Sequence, residues 1–131
     1  MAARVRASVA GPALLVVAGV ALVLAAFKTD ASLSGGPQTW HGLIHGLAFL
    51  TLVASLLLSL LFLWWRLRRD PLWRGYGLYT LITAVLYLAL LFLSASQWAF
   101  YLFLALVLVW IEVMAVRLRS IASARQPPHV S

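Results

Sequence analysis

The sequence predicts an all-α integral membrane protein: a four-helix up-down-up-down bundle with both termini in the cytoplasm. Three observations favour this fold class. The 131-residue chain is 64% hydrophobic and 10% charged, whereas soluble domains are about 45–50% apolar and about 25% charged. Its apolar residues form four runs long enough to cross a bilayer. If the four runs cross the bilayer in turn, nine of the ten basic residues lie on the same side of the membrane. A soluble domain and a disordered chain are both excluded.

Each predicted span is a mostly apolar run near the roughly 17–25 residues that a membrane helix needs. The spans cover residues 9–27, 43–65, 76–93 and 98–116 of a transmembrane domain at 1–119, and residues 120–131 form a flexible cytoplasmic tail. Backbone groups in hydrocarbon must bond internally, and the runs lack barrel alternation, so helices are expected. The first span has an alternative interpretation as a cleaved secretory leader, because Arg4 and Arg6 precede it.

The basic residues set the orientation and suggest a partner. Only Lys28 falls on the outer side, so we expect a multi-pass protein of the bacterial plasma membrane. In the middle loop, arginines alternate with tryptophans, a pattern suited to anionic lipid headgroups. A topology signal alone is the simpler interpretation, and nucleic acid is not needed to explain the charge. The predicted lipid contacts are Arg66, Arg68, Arg69 and Arg74.

Small and polar residues form one stripe along each helix when residues are placed at 100° per step. Membrane helices associate through such residues, so these stripes are predicted to face inward, as packing surfaces or as the lining of a polar path. Gly42 and Gly46 form a further small-residue pair for helix packing. The stripes are Gly11, Ala18, Ala21 and Ala25; His41, His45, Ala48, Ser55 and Ser59, with Thr51 at the edge; Tyr76, Thr80, Thr83, Ala84, Tyr87 and Ser94; and Gln97, Tyr101, Ala105, Glu112 and Arg119.

Glu112 is the only formally charged side chain inside a span. An ionisable group there suggests a functional site by default. At 1.5 Å per residue, Glu112 lies about 21 Å from Trp98 along the helix. Ser59 of the second helix and Thr80 of the third lie near the same depth in the membrane, so they are its expected hydrogen-bond partners. This set is the candidate ion or proton site. A structural contact with a nearby arginine or serine is the alternative.

His41 and His45 are four residues apart at the start of the second span, so they can share one ligand. With Asp30 they could complete a two-histidine, one-carboxylate site for zinc or another divalent metal. A histidine pair bonded to loop carbonyls is the alternative. No other cofactor is expected, because the chain has no cysteine and no phosphate loop.

The first outer loop reads Phe27-Lys28-Thr29-Asp30, and His41 to Phe49 begin the next helix. Over residues 14–119 this arrangement, with the arginine-rich inner loop, resembles the membrane family called domain of unknown function 998. The resemblance implies that Asp30, His41 and His45 act together. Family members usually have about six spans and a proline near this aspartate. The chain would therefore be a short member or a fragment matching the last four spans.

Three functions are compatible with these features. The first is a non-enzymatic membrane helper or scaffold that contacts lipid and forms a homo-oligomer or binds a membrane partner. The second is a transport or proton-path component that uses Glu112. The third is a metal-dependent membrane enzyme that uses Asp30, His41 and His45, although no hydrolase motif or catalytic triad can be assembled.

Overall fold

The computed structural model describes residues 9–26, 39–93 and 97–124, and in this part of the chain all regular structure is helical. Three of the helices are long and apolar enough to cross a membrane, and the first is a shorter apolar helix. A single 3₁₀ turn, Pro71–Trp73, separates the second and third helices. The four helices are α1 (Ala10–Leu24), α2 (Trp40–Leu67), α3 (Arg74–Phe92) and α4 (Gln97–Ala124).

The helix ends differ from the predicted spans. The α1 helix has 15 residues, fewer than the predicted first span. The α2 helix begins at Trp40 because Thr39 caps it, with the Thr39 hydroxyl accepting a hydrogen bond from the Gly42 N–H at 3.3 Å. The α4 helix continues to Ala124, so the first residues of the predicted flexible tail are helical. Hydropathy marks the apolar stretch, whereas caps and local bonding set where a helix ends.

All four helices contribute to one apolar core. Neighbouring helices are antiparallel. The start of α1 contacts the last part of α2, and the start of α3 contacts the end of α2 and, through Tyr76, Arg117 in the last part of α4. Large apolar side chains cover much of the outside, as expected for a surface that faces lipid. The buried core residues are Ala18, Ala21, Leu52, Leu56, Leu60, Ala84, Tyr87, Phe103, Val107 and Trp110.

A close approach of α1 to α2 is centred on Gly11. A methyl group at Gly11 would lie 2.8 Å from the Leu63 side chain, so a larger residue would push the helices apart. The fully buried Ser59 hydroxyl donates a hydrogen bond to the Gly11 carbonyl at 2.8 Å. The predicted inward stripe of α1 is confirmed from Gly11 to Ala21, since Gly11, Ala18 and Ala21 are all buried, whereas Ala25 follows the end of the helix and is only partly buried.

The start of α3 packs against the end of α2 at Gly77. A methyl group at Gly77 would lie 2.9 Å from the Arg68 backbone nitrogen, so only glycine fits without moving the chain. Further along, the Tyr87 hydroxyl donates to the Val53 carbonyl at 3.0 Å. The stripe predicted for α3 is confirmed from Thr80 to Tyr87, where all four of its residues are buried. Tyr76 is only partly buried, and Ser94 lies outside the described residues.

The predicted inward face of α4 is wrong. Tyr101, Ala105, Glu112 and Arg119 are all exposed, and α4 packs through the opposite side of the helix. The reason is steric: the small residues of α3 leave room for large side chains. Phe103 packs on Tyr87 with ring centroids 4.5 Å apart, and the indole N–H of Trp110 donates to the Thr80 hydroxyl at 3.0 Å. The buried residues of α4 are Ala99, Phe103, Val107 and Trp110.

Candidate functional site

Arginines and tryptophans are concentrated where α2 ends. The Arg68 guanidinium lies over the Trp65 ring at 4.0 Å and the Trp64 ring at 4.9 Å, and the Arg69 guanidinium lies over Trp65 at 4.6 Å. These are cation–π distances, so the indoles hold the charged groups at the end of an apolar helix. We call Trp64, Trp65, Arg66, Arg68 and Arg69 the arginine–tryptophan cluster.

The cluster is accessible. Its three arginines are exposed, and Trp65 exposes 48% of its surface. The Trp64 and Trp65 rings pack edge to face with their centroids 6.2 Å apart, so both rings contact the Arg68 guanidinium. A guanidinium stacked on a ring still presents N–H groups along its edge, which can donate to two phosphate oxygens at once.

The turn after the cluster is fixed by Asp70. Its side chain accepts a hydrogen bond from the Leu72 N–H at 2.9 Å, and the Trp73 N–H donates to the Asp70 carbonyl at 3.0 Å. Pro71 begins the 3₁₀ turn, where a missing N–H does no harm. The aspartate therefore caps the turn and keeps the chain close to the end of α2 before α3 begins.

Arg117 of α4 contacts the turn after the cluster and the start of α3. It donates to the Leu72 carbonyl at 2.9 Å, and its guanidinium lies 5.2 Å from the Tyr76 ring. Its Nε is buried and has no hydrogen-bond partner among the described residues. The sequence placed Arg117 on the inner side, within reach of Glu112. It did not predict the bond to Leu72, because the two residues are 45 positions apart in the chain.

A groove of about 450 Å³ opens beside the cluster, between α1, the end of α2 and α4. Its walls are mostly apolar side chains, but two charged residues, Arg66 and Asp70, also line it. The groove is therefore amphipathic, with apolar walls that suit a hydrocarbon chain and charged groups that suit a polar headgroup. Its main apolar residues are Pro12, Leu15, Leu63, Trp110, Ile111 and Met114.

The structure does not bring Glu112 to its expected partners. Glu112 is exposed on the side of α4 away from the core. Ser59 and Thr80 are fully buried, and each has another partner: Ser59 donates to Gly11, and Thr80 accepts from Trp110. Thr80 also donates to the Tyr76 carbonyl at 2.8 Å. The candidate ion site is thus separated into an exposed carboxyl and two engaged hydroxyls.

The predicted metal ligands are only partly described. Asp30 lies outside the described residues. His41 stacks on Trp40 at 3.5 Å, and His45 lines a groove of about 590 Å³ between α1, α2 and α4. Within residues 9–26, 39–93 and 97–124, no three metal-binding side chains of the His, Cys, Asp or Glu type come together.

Gly46, one of the two glycines of the predicted packing pair on α2, lies away from the tight contacts. A methyl group at Gly46 would meet nothing within 4 Å, so this glycine is not needed for packing inside the chain. The glycines that the helices do need are Gly11 and Gly77. Gly77 has no small-residue partner four positions away, so the pattern that selected Gly42 and Gly46 could not find it.

These features define a membrane-like helical protein, with three helices long and apolar enough to cross a bilayer and basic residues gathered at one end. A family model covers residues 1–119, and the chain belongs to that family, the proteins of unknown function DUF998. This match confirms the resemblance inferred from the sequence. Neither a curated protein nor a solved structure matches the chain significantly.

Proposed function

We propose that this chain is a multi-pass protein of the bacterial plasma membrane that binds anionic phospholipid at its cytoplasmic end and acts there as a non-enzymatic helper or scaffold. Its four helices form an up-down-up-down bundle with both termini inside. The single observation that carries the proposal is the arginine–tryptophan cluster, in which guanidinium groups lie on indole rings at the end of an apolar helix.

The placement of this cluster matches the chemistry of a membrane interface. Indole rings favour the headgroup level of a bilayer, and arginines favour its cytoplasmic side. Each basic residue near an anionic surface contributes about 1 kcal/mol, so the three arginines of the cluster could contribute about 3 kcal/mol. The stacked rings restrict the guanidinium groups, which lowers the entropy lost when a phosphate binds.

The adjoining groove supports a lipid as the ligand. Arg66 lines the groove together with apolar residues from three helices, so one phospholipid could place its phosphate at Arg66 and an acyl chain along Leu63 and Met114. A soluble anion would use only the charged part of this surface. A lipid would use both parts.

Thermal unfolding of the purified protein in neutral detergent tests lipid binding. We expect dispersed phosphatidylglycerol to raise the melting temperature more than phosphatidylcholine does, and high salt to reduce the difference because it screens the charges. Arg68→Gln should lower the effect of phosphatidylglycerol, and Arg68→Lys should restore only part of it. Arg119→Gln, which removes the same charge outside the cluster, should retain it. Equal responses to both lipids, or equal losses in Arg68→Gln and Arg119→Gln, would contradict the proposal.

Reporter fusions test the orientation separately. We expect a fusion after Ser131 to report the cytoplasm, because the arginines of the described chain all lie at one end of the molecule. A reporter found outside the cell would reject the proposed topology, even if the protein still bound anionic lipid.

The two other hypotheses have less support. The transport hypothesis needs Glu112 to face the interior polar residues, but it lies on the exposed side of α4. The enzyme hypothesis needs a metal site whose third ligand, Asp30, lies outside the described residues. Metal content of the purified protein and flux measurements in liposomes remain their direct tests.

A further inference from the structure

One face of α4 is exposed although it carries Glu112, whose carboxyl group is poorly suited to lipid. Its positions are separated by alternating steps of four and three, the 3.5-residue repeat of paired helices. Leu108 is 64% exposed and Tyr101 is 53% exposed, and the other four are exposed as well. Two are alanines and three carry polar groups. We call this set the heptad face of α4; it consists of Tyr101, Ala105, Leu108, Glu112, Ala115 and Arg119.

Glu112 has nothing on its own helix to bond with. The residues three and four positions away in each direction are Leu108, Val109, Ala115 and Val116, and none has a polar side chain. Within the part of the chain that the structure describes, Glu112 makes no hydrogen bond or ion pair. A carboxyl group about 21 Å from the Trp98 end of α4 lies within hydrocarbon, where a missing partner is costly.

We propose that a second copy of this chain covers the heptad face, with the two α4 helices parallel and the two Glu112 carboxyl groups hydrogen-bonded to each other. This interface goes beyond the proposed lipid binding and does not depend on it; of the heptad face, Ala115 alone also lines the lipid groove. The carboxyl pair requires that one of the two groups carry a proton, which then lies between two carboxyl oxygens.

The geometry favours a second copy over another partner. Copies inserted with the same orientation can pair symmetrically only about an axis along the membrane normal, so each position of α4 meets the same position of its partner. A 3.5-residue repeat keeps such contacts aligned along the whole helix. The alanines at 105 and 115 let the backbones approach closely. The second copy also supplies at the right depth the polar group that Glu112 lacks in its own chain.

Cysteine cross-linking tests the interface, because the natural chain contains no cysteine. Single variants Ala105→Cys, Leu108→Cys and Ala115→Cys place thiols on the heptad face. Oxidised in native membranes, each should give a disulfide-linked species of twice the 14.4 kDa chain mass, since paired positions bring Cα atoms within about 7 Å. Ala54→Cys on α2 and Ala89→Cys on α3, both exposed alanines, are the matched controls and should give at least tenfold less dimer.

The cross-linking result can overturn the proposal in three ways. The heptad-face variants could give no dimer while the protein is present in the membrane in normal amount. The control variants could give as much dimer as the heptad-face variants, which would indicate random collision. The heptad-face thiols could instead join only a different protein, which would assign the face to another partner.

Substitution of Glu112 tests the carboxyl pair in the Leu108→Cys background. Glu112→Gln should keep the dimer, because two amides can bond across the interface. Glu112→Leu should reduce dimer formation about threefold to tenfold, the range expected for one interhelical hydrogen bond in a membrane. Glu112→Lys should reduce it further, because two ammonium groups would then meet within hydrocarbon, whereas the two Arg119 side chains meet nearer the end of the helix. Unchanged dimer in both Glu112→Leu and Glu112→Lys would reject the carboxyl pair.

Discussion

The α3 and α4 helices each carry a stripe of small and polar residues, but only the stripe of α3 is inside. Thr80, Thr83 and Ala84 of α3 are buried, whereas Ala105 and Glu112 of α4 are exposed. The two helices pack on each other, so the stripe of α3 meets the large side chains of α4. The large side chains of α4 fill the space beside the small residues of α3. Shape complementarity therefore decides which face is buried, and polarity alone does not.

The largest expected loss of stability comes from removing a large side chain of α4 that packs against the small residues of α3. Trp110 is 2% exposed and bonds to Thr80, whereas Trp98 on the same helix is 78% exposed. Trp110→Ala should lower the free energy of unfolding by about 3 kcal/mol, because it leaves a cavity and a lost hydrogen bond. Trp98→Ala is the matched control. Titration with a denaturing detergent in mixed micelles measures both, and equal losses would show that Trp110 is not a packing anchor.

The next effect comes from enlarging one residue in each stripe. Ala84→Phe should cost about 1–3 kcal/mol, because the ring has no space against Phe103 and Tyr87. Ala105→Phe should leave the unfolding of the single chain almost unchanged, since its ring points away from the core. The same titration at low protein concentration measures the two variants. If they were equally destabilised, the heptad face of α4 would already be packed within one chain.

A smaller effect is expected for a hydroxyl group that bonds between helices. Thr80 and Thr51 both donate to the carbonyl four residues earlier, but only Thr80 also accepts a bond from Trp110. Thr80→Val should cost about 0.6 kcal/mol and at most about 1.7 kcal/mol. Thr51→Val should cost less, because Thr51 is exposed and has no partner from another helix among the described residues. A larger loss of unfolding free energy in Thr51→Val than in Thr80→Val would argue against the Thr80–Trp110 bond.

The smallest effect on the single chain should come from Glu112. We expect Glu112→Gln to change the free energy of unfolding of the monomer by less than about 0.5 kcal/mol, as for other surface substitutions. Measured in dilute detergent, where copies are separated, a loss above about 1 kcal/mol would place Glu112 in a contact within its own chain.

Most of the fold could be predicted from the sequence, because hydropathy and length identify apolar helices directly. The inward faces of α1 and α3 were also predictable, since small residues there coincide with the tight contacts at Gly11 and Thr80. The face of α4 was not, because one helix's pattern does not reveal the size of the residues it will meet. The bond of Arg117 to Leu72 and the close contact at Gly77 were not predicted for a related reason: each involves a backbone group from another part of the chain.

The candidate site was predicted in its residues but not in its geometry. The alternation of tryptophan and arginine in the sequence indicates an interface, and Arg66, Arg68 and Arg69 are exposed there as expected. The stacking of Arg68 on two rings depends on side-chain conformations at a helix end, which no spacing rule supplies. The groove beside the cluster depends on how far α1 and α4 lie apart, which is a tertiary property.

The buried hydroxyl groups share a feature that bears on conduction. Each of them donates its hydrogen to a main-chain carbonyl; the residues are Ser55, Ser59, Thr80, Thr83 and Tyr87. A Grotthuss relay needs each member to accept one hydrogen and release another in turn. These five groups can release theirs only by breaking a bond that joins two helices or closes a helical turn. A proton that crossed this part of the interior would therefore have to break the same bonds that hold the helices together.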